Sequence, residues 1–201
     1  MSLIPNSAAL ILAGGNSSRL GRAKAFLPWQ GMTFIETLLT NLKDVCQEVL
    51  LVTTPQHDFT SLPVRIVHDI LPGKNSLGGL YAGLRQSNQP VNFVCACDMP
   101  LLLPELVRNL INKLEGFDAV VPFAHDRLQP LCAVYTKACL PFIEQQLQQN
   151  ALRMTAWLAQ ARALIVPEAE LRGIDPALRS FFNVNTEEDY QRLLEAAHPR
   201  L

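Results

Sequence analysis

The sequence predicts an α/β fold: a single domain over residues 1–201, with a mostly parallel sheet covered by helices on both faces. Three observations carry this expectation. Short apolar runs alternate with segments of helical periodicity along the chain, the pattern of a β-α-β succession. Several of those runs are apolar at every position rather than at every second one, as strands buried on both faces require. No Ser/Gly-rich linker, charge block, repeat or low-complexity tract interrupts the succession.

The first run, Ala8 to Ala13, predicts a buried strand. After a glycine-rich loop, TFIETLLTNLKDVC sets Phe34, Ile35, Leu38, Leu39, Leu42 and Val45 at helical spacing, with Thr33 as the N-cap. Strands are expected at Glu48–Thr54 and Val64–Asp69. A helix from Leu77 through LGGLYAGLRQS keeps its glycines for close packing, and an apolar strand, Val91–Asp98, ends in a carboxylate. Pro104–Gly116 reads as a helix with proline in its first turn and glycine at its end. DAVVPF and PLCAVYT predict strands, Ala138–Gln160 one or two amphipathic helices, ALIVP a strand and Glu168–Arg179 a loop. In the last helix, TEEDYQRLLEAA, Thr186 is the N-cap and Asp189 stands at the capping-box position.

Composition excludes several classes. About half the residues (49%) are hydrophobic and the formal net charge is −1, which argues against disorder and against a nucleic-acid-coating protein. No apolar stretch reaches the ~20 residues of a membrane span, and the N-terminus lacks a basic n-region. A soluble cytoplasmic protein is expected, with neither nucleic acid nor membrane as partner. The five cysteines are scattered and lack a second Cys/His pair at zinc spacing, so they are assigned to core packing. The four histidines form no ligand pattern.

In parallel sheets ligands bind beyond the C-terminal strand ends, which selects the loop from Gly14, the turn at Asp69 and the turn after Asp98. The first, LILAGGNSSRLGRAKAFLPW, is neither a Walker A loop nor a GxGxxG fingerprint. It joins adjacent glycines to Arg19, Arg22 and Lys24, and glycine backbone with nearby cations suits a phosphate. Arg19 can clasp phosphate oxygens with two N–H groups, while Lys24 supplies a point charge. In CACDMP, Asp98 leaves a buried strand as a lone carboxylate. That suits Mg²⁺ shared with phosphate oxygens, and a turn cap is the competing role. Asp69 is open between a ligand contact and a turn residue.

These segments together resemble the MobA-like nucleotidyltransferases. LILAGGNSSRLGRAKAFLPWQG, HDILPGKNSLGGLYAGL, VCACDMP, PLCAVY and FFNVNTEEDY carry the resemblance from about residue 8 to about residue 194. It implies a Rossmann-like three-layer domain of the nucleotide-diphospho-sugar transferase type. The implied activity is molybdenum cofactor guanylyltransferase: GMP passes from GTP to the terminal phosphate of molybdopterin, and pyrophosphate leaves. Leu12, Ala13 and Gly14 match the nucleotide-contacting backbone; Gly15, Arg19 and Lys24 match the phosphate-handling part of the signature. Asp69 matches a GTP-binding aspartate, and Asp98 the aspartate that binds nucleotide and Mg²⁺. Gly78 falls in the middle segment, and Asn183 and Asn185 in a motif near the reacting phosphates, where capping the following helix is a competing role. Where relatives carry an Asn after the second strand, this chain reads VTTPQ, leaving Thr53 or Thr54 for that contact. Molybdoenzymes and other cofactor-biosynthesis proteins are the partners the resemblance points to.

Within the resemblance, L-A-G-G is similar to the guanylyltransferase, whereas the cytidylyltransferase tends to carry L-A-A-G; a glycine in place of alanine leaves room for a larger purine. Arg19, Lys24 and Asp98 are the candidate catalytic set, with Arg19 and Lys24 holding the leaving pyrophosphate. Competing expectations are the cytosine dinucleotide enzyme, a sugar- or alcohol-phosphate nucleotidylyltransferase, and a GTP-binding protein without turnover.

Overall fold

A computed structural model describes residues 2–14, 24–55, 58–69, 71 and 73–197. Strand β1 (Ile4–Leu12) lies between two parallel neighbours, β4 (Cys46–Thr53) and β6 (Val91–Ala96), with Leu12 opposite both Val52 and Ala96. Its side chains alternate between two cores, as a two-residue period dictates. Ala8, Leu10 and Leu12 face one helical layer, and Ala9, Ile11 and Ala13 face the other. Such a strand can tolerate no polar face, which is why the run is apolar throughout.

Before β4 come a 3₁₀ turn at Lys24–Phe26, a hairpin of β2 (Pro28–Trp29) and β3 (Met32–Thr33), and helix α1 (Phe34–Lys43). The expected cap is present: the Glu36 N–H donates to Thr33 Oγ1 at 3.3 Å, and the Thr33 N–H donates to Glu36 Oε2 at 2.7 Å. Strand β5 (Arg65–His68) pairs with β4, and α2 (Asn75–Gln86) crosses back to β6. Close packing explains the α2 glycines. A Cβ on Gly83 would stand 2.9 Å from Leu10 Cδ1, so the helix backbone rests directly on the sheet.

Helix α3 (Pro104–Asn112) leads to β7 (Ala119–Ala124), β8 (Arg127–Leu128), β9 (Cys132–Thr136), α4 (Leu140–Gln148), β10 (Ala163–Val166), α5 (Glu168–Leu171) and α6 (Glu187–Ala197). The strands lie in the order β10-β7-β9-β6-β1-β4-β5, with β8 paired to β7. Only β9 runs against its neighbours on that path. The expected mostly parallel, three-layer α/β domain is therefore observed, with α2 and α4 on one face and α1 and α3 on the other.

Two local expectations are corrected, the end of α3 and the loop 168–179. Helix α3 stops at Asn112 rather than Gly116, and Gly116, at φ +80°, makes the left-handed turn into β7 that side chains disfavour. Ala138–Gln160 contains one α-helix, α4, flanked by 3₁₀ turns, within the one or two helices expected. The expected loop 168–179 opens with the single turn of α5, after Pro167 ends β10. The hairpins β2–β3 and β7–β8 were not expected, since strands of two residues carry too little pattern to register.

A small third core closes one end of the molecule. Trp29, Phe34, Val184, Tyr190 and Leu193 pack together, and Tyr190 Oη donates to the Pro28 carbonyl at 2.8 Å. Through this core α6 leans on the β2–β3 hairpin, and segments distant in sequence meet.

Candidate active site

At the C-terminal edge of the sheet the backbone ladder runs past the strands. The Ala13 N–H donates to the Val52 carbonyl (2.8 Å), Cys97 N–H to Leu12 (3.1 Å) and Asp69 N–H to Thr53 (2.8 Å). These bonds fix where each strand-end residue emerges. Gly14 emerges against Thr54: a Cβ on the glycine would lie 3.4 Å from Thr54 Cγ2. Thr53 is buried, and its hydroxyl reaches the Ala13 carbonyl at 3.4 Å, so of the two threonines Thr54 is the one beside Gly14 at the strand ends.

Asp69 and Gly78 form a second pair. A Cβ on Gly78 would stand 3.1 Å from Asp69 Oδ2 and 2.9 Å from Lys74 Cβ, so the carboxylate uses the space that a side chain would fill. The Leu71 N–H donates to Asp69 Oδ1 at 2.9 Å. Burial nevertheless pushes the Asp69 pKa above its ordinary value, against the lowering effect of that hydrogen bond.

The third group lies beyond β6. Lys24 Nζ donates to Asp98 Oδ2 at 3.0 Å and to Asn185 Oδ1 at 2.6 Å. The lysine and aspartate side chains are only 16% and 14% exposed. Two packing relations hold this arrangement. The Leu27 N–H donates to the Lys24 carbonyl at 3.0 Å just before the hairpin, and the Val184 N–H donates to the Asp98 carbonyl at 2.9 Å. The capping box expected for α6 is formed, with Thr186 N–H on Asp189 Oδ2 (2.9 Å) and Asp189 N–H on Thr186 Oγ1 (3.1 Å). Asp189 Oδ2 also accepts from the Asn185 N–H at 3.0 Å, so the same carboxylate sets the asparagine backbone.

Buried oxygens without partners mark what this group lacks. Asp98 Oδ1 and Asn183 Oδ1 accept no hydrogen bond among the described residues. Buried carboxylate oxygens are ordinarily satisfied, and a hard cation bound through one carboxylate and phosphate oxygens would satisfy Asp98. No cluster of three or more His, Cys, Asp or Glu among the described residues could hold a metal without such help. The donors present therefore fit a divalent ion that arrives with a phosphate ligand.

The sequence-expected residues thus fall into three neighbouring sets: Gly14 with Thr54 beyond Leu12 and Ala13, Asp69 with Gly78, and Lys24 with Asp98, Asn185 and the nearby Asn183. Gly15, Arg19 and Arg22 lie outside the described residues. The cysteines are free thiols; four are buried, and burial raises the Cys97 thiol, adjacent to Asp98, to about 12.

Past Asn185 lies a cluster of cations that sequence reasoning did not single out. An open cavity of about 480 Å³ is lined by Asn183 and Asn185 together with Arg127, Arg179 and Arg192. The arginines come from three separate segments, and their spacing gave no signal.

The family model for the MobA-like NTP transferase domain matches residues 9–164. A molybdenum cofactor guanylyltransferase of Desulfosudis oleivorans is 35% identical over 185 residues, covering 91% of this chain and 92% of the relative. Molybdopterin-guanine dinucleotide biosynthesis protein A of Archaeoglobus fulgidus superposes with a TM-score of 0.84 at 27% identity, over 94% of this chain and 98% of that one. The 2-C-methyl-D-erythritol 4-phosphate cytidylyltransferase of Thermus thermophilus shares the fold, with a TM-score of 0.68 at 19% identity over 94% and 98% of the two chains.

Proposed function

We propose a function from one premise, that this chain belongs to the MobA-like NTP transferase domain family: it transfers GMP from GTP to the terminal phosphate of molybdopterin. The observation that carries the reading is the Lys24–Asp98–Asn185 array at the end of β6, in a chain 35% identical over 185 residues to a guanylyltransferase.

The acceptor phosphate is an anionic nucleophile at neutral pH, so no general base is needed. One of its oxygens forms a bond to the α-phosphorus of GTP while the bond to the β-phosphate oxygen breaks, and pyrophosphate carries the electron pair away. The barrier is the approach of two anions, and the protein's work is placement and charge neutralisation. Lys24 sets a positive charge beside Asp98, held by two acceptors before any substrate arrives. Arg19 adds a second cation for the leaving pyrophosphate, by its match to the family signature. Gly14 and Thr54 border the nucleotide, and Asp69, with space kept by Gly78, accepts hydrogen bonds from its base or ribose.

Asp98 Oδ1, buried and without a partner among the described residues, would hold the divalent ion that such transferases generally use, Mg²⁺ in this reading. Bound there, the ion would neutralise phosphate charge. In this reading the nucleotidyltransferase domain takes in the whole chain, 1–201, a reading supported as far as Asn185, which lies beyond the matched residues 9–164 and bonds to Lys24. No described helix is long and apolar enough to cross a membrane, in keeping with a cytoplasmic reaction whose product passes to molybdoenzymes or other cofactor-biosynthesis proteins. The test is pyrophosphate release with molybdopterin, comparing GTP, CTP and ATP, with and without Mg²⁺. Preference for GTP with a Mg²⁺ requirement is expected; preference for CTP overturns the guanine assignment.

A further inference from the structure

A transferase of this kind must seat two ligands on either side of one phosphorus atom, and the sheet order separates the two sides. Asp69, Thr54 and Gly14 stand at the ends of β5, β4 and β1, and Asp98 at the end of the next strand, β6. Beyond β6 and the reversed β9, the C-terminal end of β7 returns to the same edge. There the chain turns through His125 and Asp126, both at positive φ (52° and 58°), into β8. This two-residue hairpin has the backbone of a type I′ turn without its usual glycine. The His125 N–H is anchored on Glu168 Oε2 at 2.8 Å, and Arg127 follows directly.

The cavity of about 480 Å³ opens between that hairpin and α6, within the range of small-molecule sites. One residue joins it to the Lys24–Asp98 pair: Asn185 lines the cavity, and its Oδ1 accepts from Lys24. Asn183, whose Oδ1 is buried and unpartnered, lines it too. Arg127 and Arg179 are exposed and have no ion pair among the described residues, whereas Arg192 is paired with Glu188 at 2.5 Å. The one lining carboxylate, Asp189, is occupied by the backbone N–H groups of Asn185 and Thr186. Phe181, Phe182 and Leu101 supply the apolar part of the wall. Guanidiniums without an ion pair among the described residues, in a cavity that also has apolar lining, fit an anion with a planar body, since arginine both binds phosphate oxygens and stacks on flat rings.

We propose that this cavity is the acceptor subsite, where Arg127 and Arg179 bind a phosphorylated heterocycle and Asn185 presents its phosphate to Lys24. The assignment rests on the proposed transferase reading for the identity of that heterocycle. It assigns a role to two arginines outside the strand-end motifs.

The test separates acceptor binding from turnover. Molybdopterin binding, followed by pterin fluorescence, is measured on the full chain saturated with a non-hydrolysable GTP analogue. Arg127→Ala/Arg179→Ala should weaken it roughly tenfold or more, the loss expected for charge-assisted contacts, while GTP affinity stays within about twofold. Arg127→Lys/Arg179→Lys should recover part of the affinity. Both arginines are exposed, so circular dichroism should show an unchanged fold. Equal molybdopterin affinity in wild type and double alanine variant overturns the proposal, as does no binding by the wild type or an equal loss for GTP. Failure of the transferase reading is seen separately, as absence of pyrophosphate release from the wild type.

Discussion

Lys24 and Asp98 lie 74 residues apart in sequence and meet at 3.0 Å, and the same ammonium reaches Asn185 Oδ1 at 2.6 Å. The lysine just before the β2–β3 hairpin is thus tied to the end of β6 and to the start of α6. Its charge is fixed before a substrate arrives, which spares reorganisation during the reaction.

Asp98→Asn should keep the fold and lose the reaction. The amide oxygen can still accept from Lys24, but the free oxygen position no longer carries the charge that attracts a divalent ion. A fall in kcat of about 100-fold or more is expected, the scale for removing one preorganised electrostatic group. Pyrophosphate release titrated with Mg²⁺ measures it, and wild-type Mg²⁺-dependent turnover in the variant would remove Asp98 from the assignment.

Lys24→Ala should weaken GTP binding and slow turnover together, each by about 10-fold or more, because a charge-assisted contact is lost. It also leaves Asp98 with no counter-charge among the described residues. The pair is partly exposed, at 16% and 14%, so the stability cost is set at about 1–2 kcal/mol, below that of a fully buried pair. Equilibrium binding and denaturant midpoints check the two halves. GTP affinity and turnover that both stayed at wild-type values would take Lys24 out of the site.

The strand ends were legible because chemistry and topology coincide there. A carboxylate closing an all-apolar run stands out, and parallel sheets place such ends on one edge. That rule selects the turns at Asp98 and Asp69, with Asp69 left open on the residues alone between a ligand contact and a turn residue, and the Thr186–Asp189 box is read from its three-residue spacing. The direction of β9 was not legible, since a strand buried on both faces reads alike in either sense. Nor was the β7–β8 turn, because His125 and Asp126 hold left-handed conformations that a sequence normally signals with glycine. Arg127, Arg179 and Arg192 become neighbours only through tertiary folding.

Gly83→Ala sets local preference against packing. Alanine in a helix gains about 1 kcal/mol over glycine. Here its Cβ would stand 2.9 Å from Leu10 Cδ1 and 3.1 Å from Val52 Cγ2, both in the packed core. Overpacking costs about 1–3 kcal/mol, so a net loss of about 1 kcal/mol is expected, seen as a fall in Tm of about 2–4 °C. A raised Tm would mean that Leu10 finds another rotamer and that helix propensity decides.

Asp69→Asn should trade function for stability, with a sign that depends on pH. Burial raises the folded-state pKa of Asp69 above its ordinary value, and the Leu71 N–H opposes this only in part. Below the unfolded pKa of about 4, both states are protonated and the carboxyl makes no difference. As pH rises towards the folded pKa, the unfolded chain has lost a proton that the native protein still holds, so native stability falls. Above the folded pKa the penalty is complete. An asparagine carries no such penalty and keeps an oxygen for the Leu71 N–H. The variant should therefore melt close to the wild type near pH 3 and above it from the carboxylate range to neutrality, while its GTP affinity drops about 10-fold for want of the charged acceptor. Thermal melts across pH 3–8 with parallel nucleotide titrations measure both effects. A variant less stable than wild type at pH 7 would show that the hydrogen bond from Leu71, and not desolvation, governs this carboxylate.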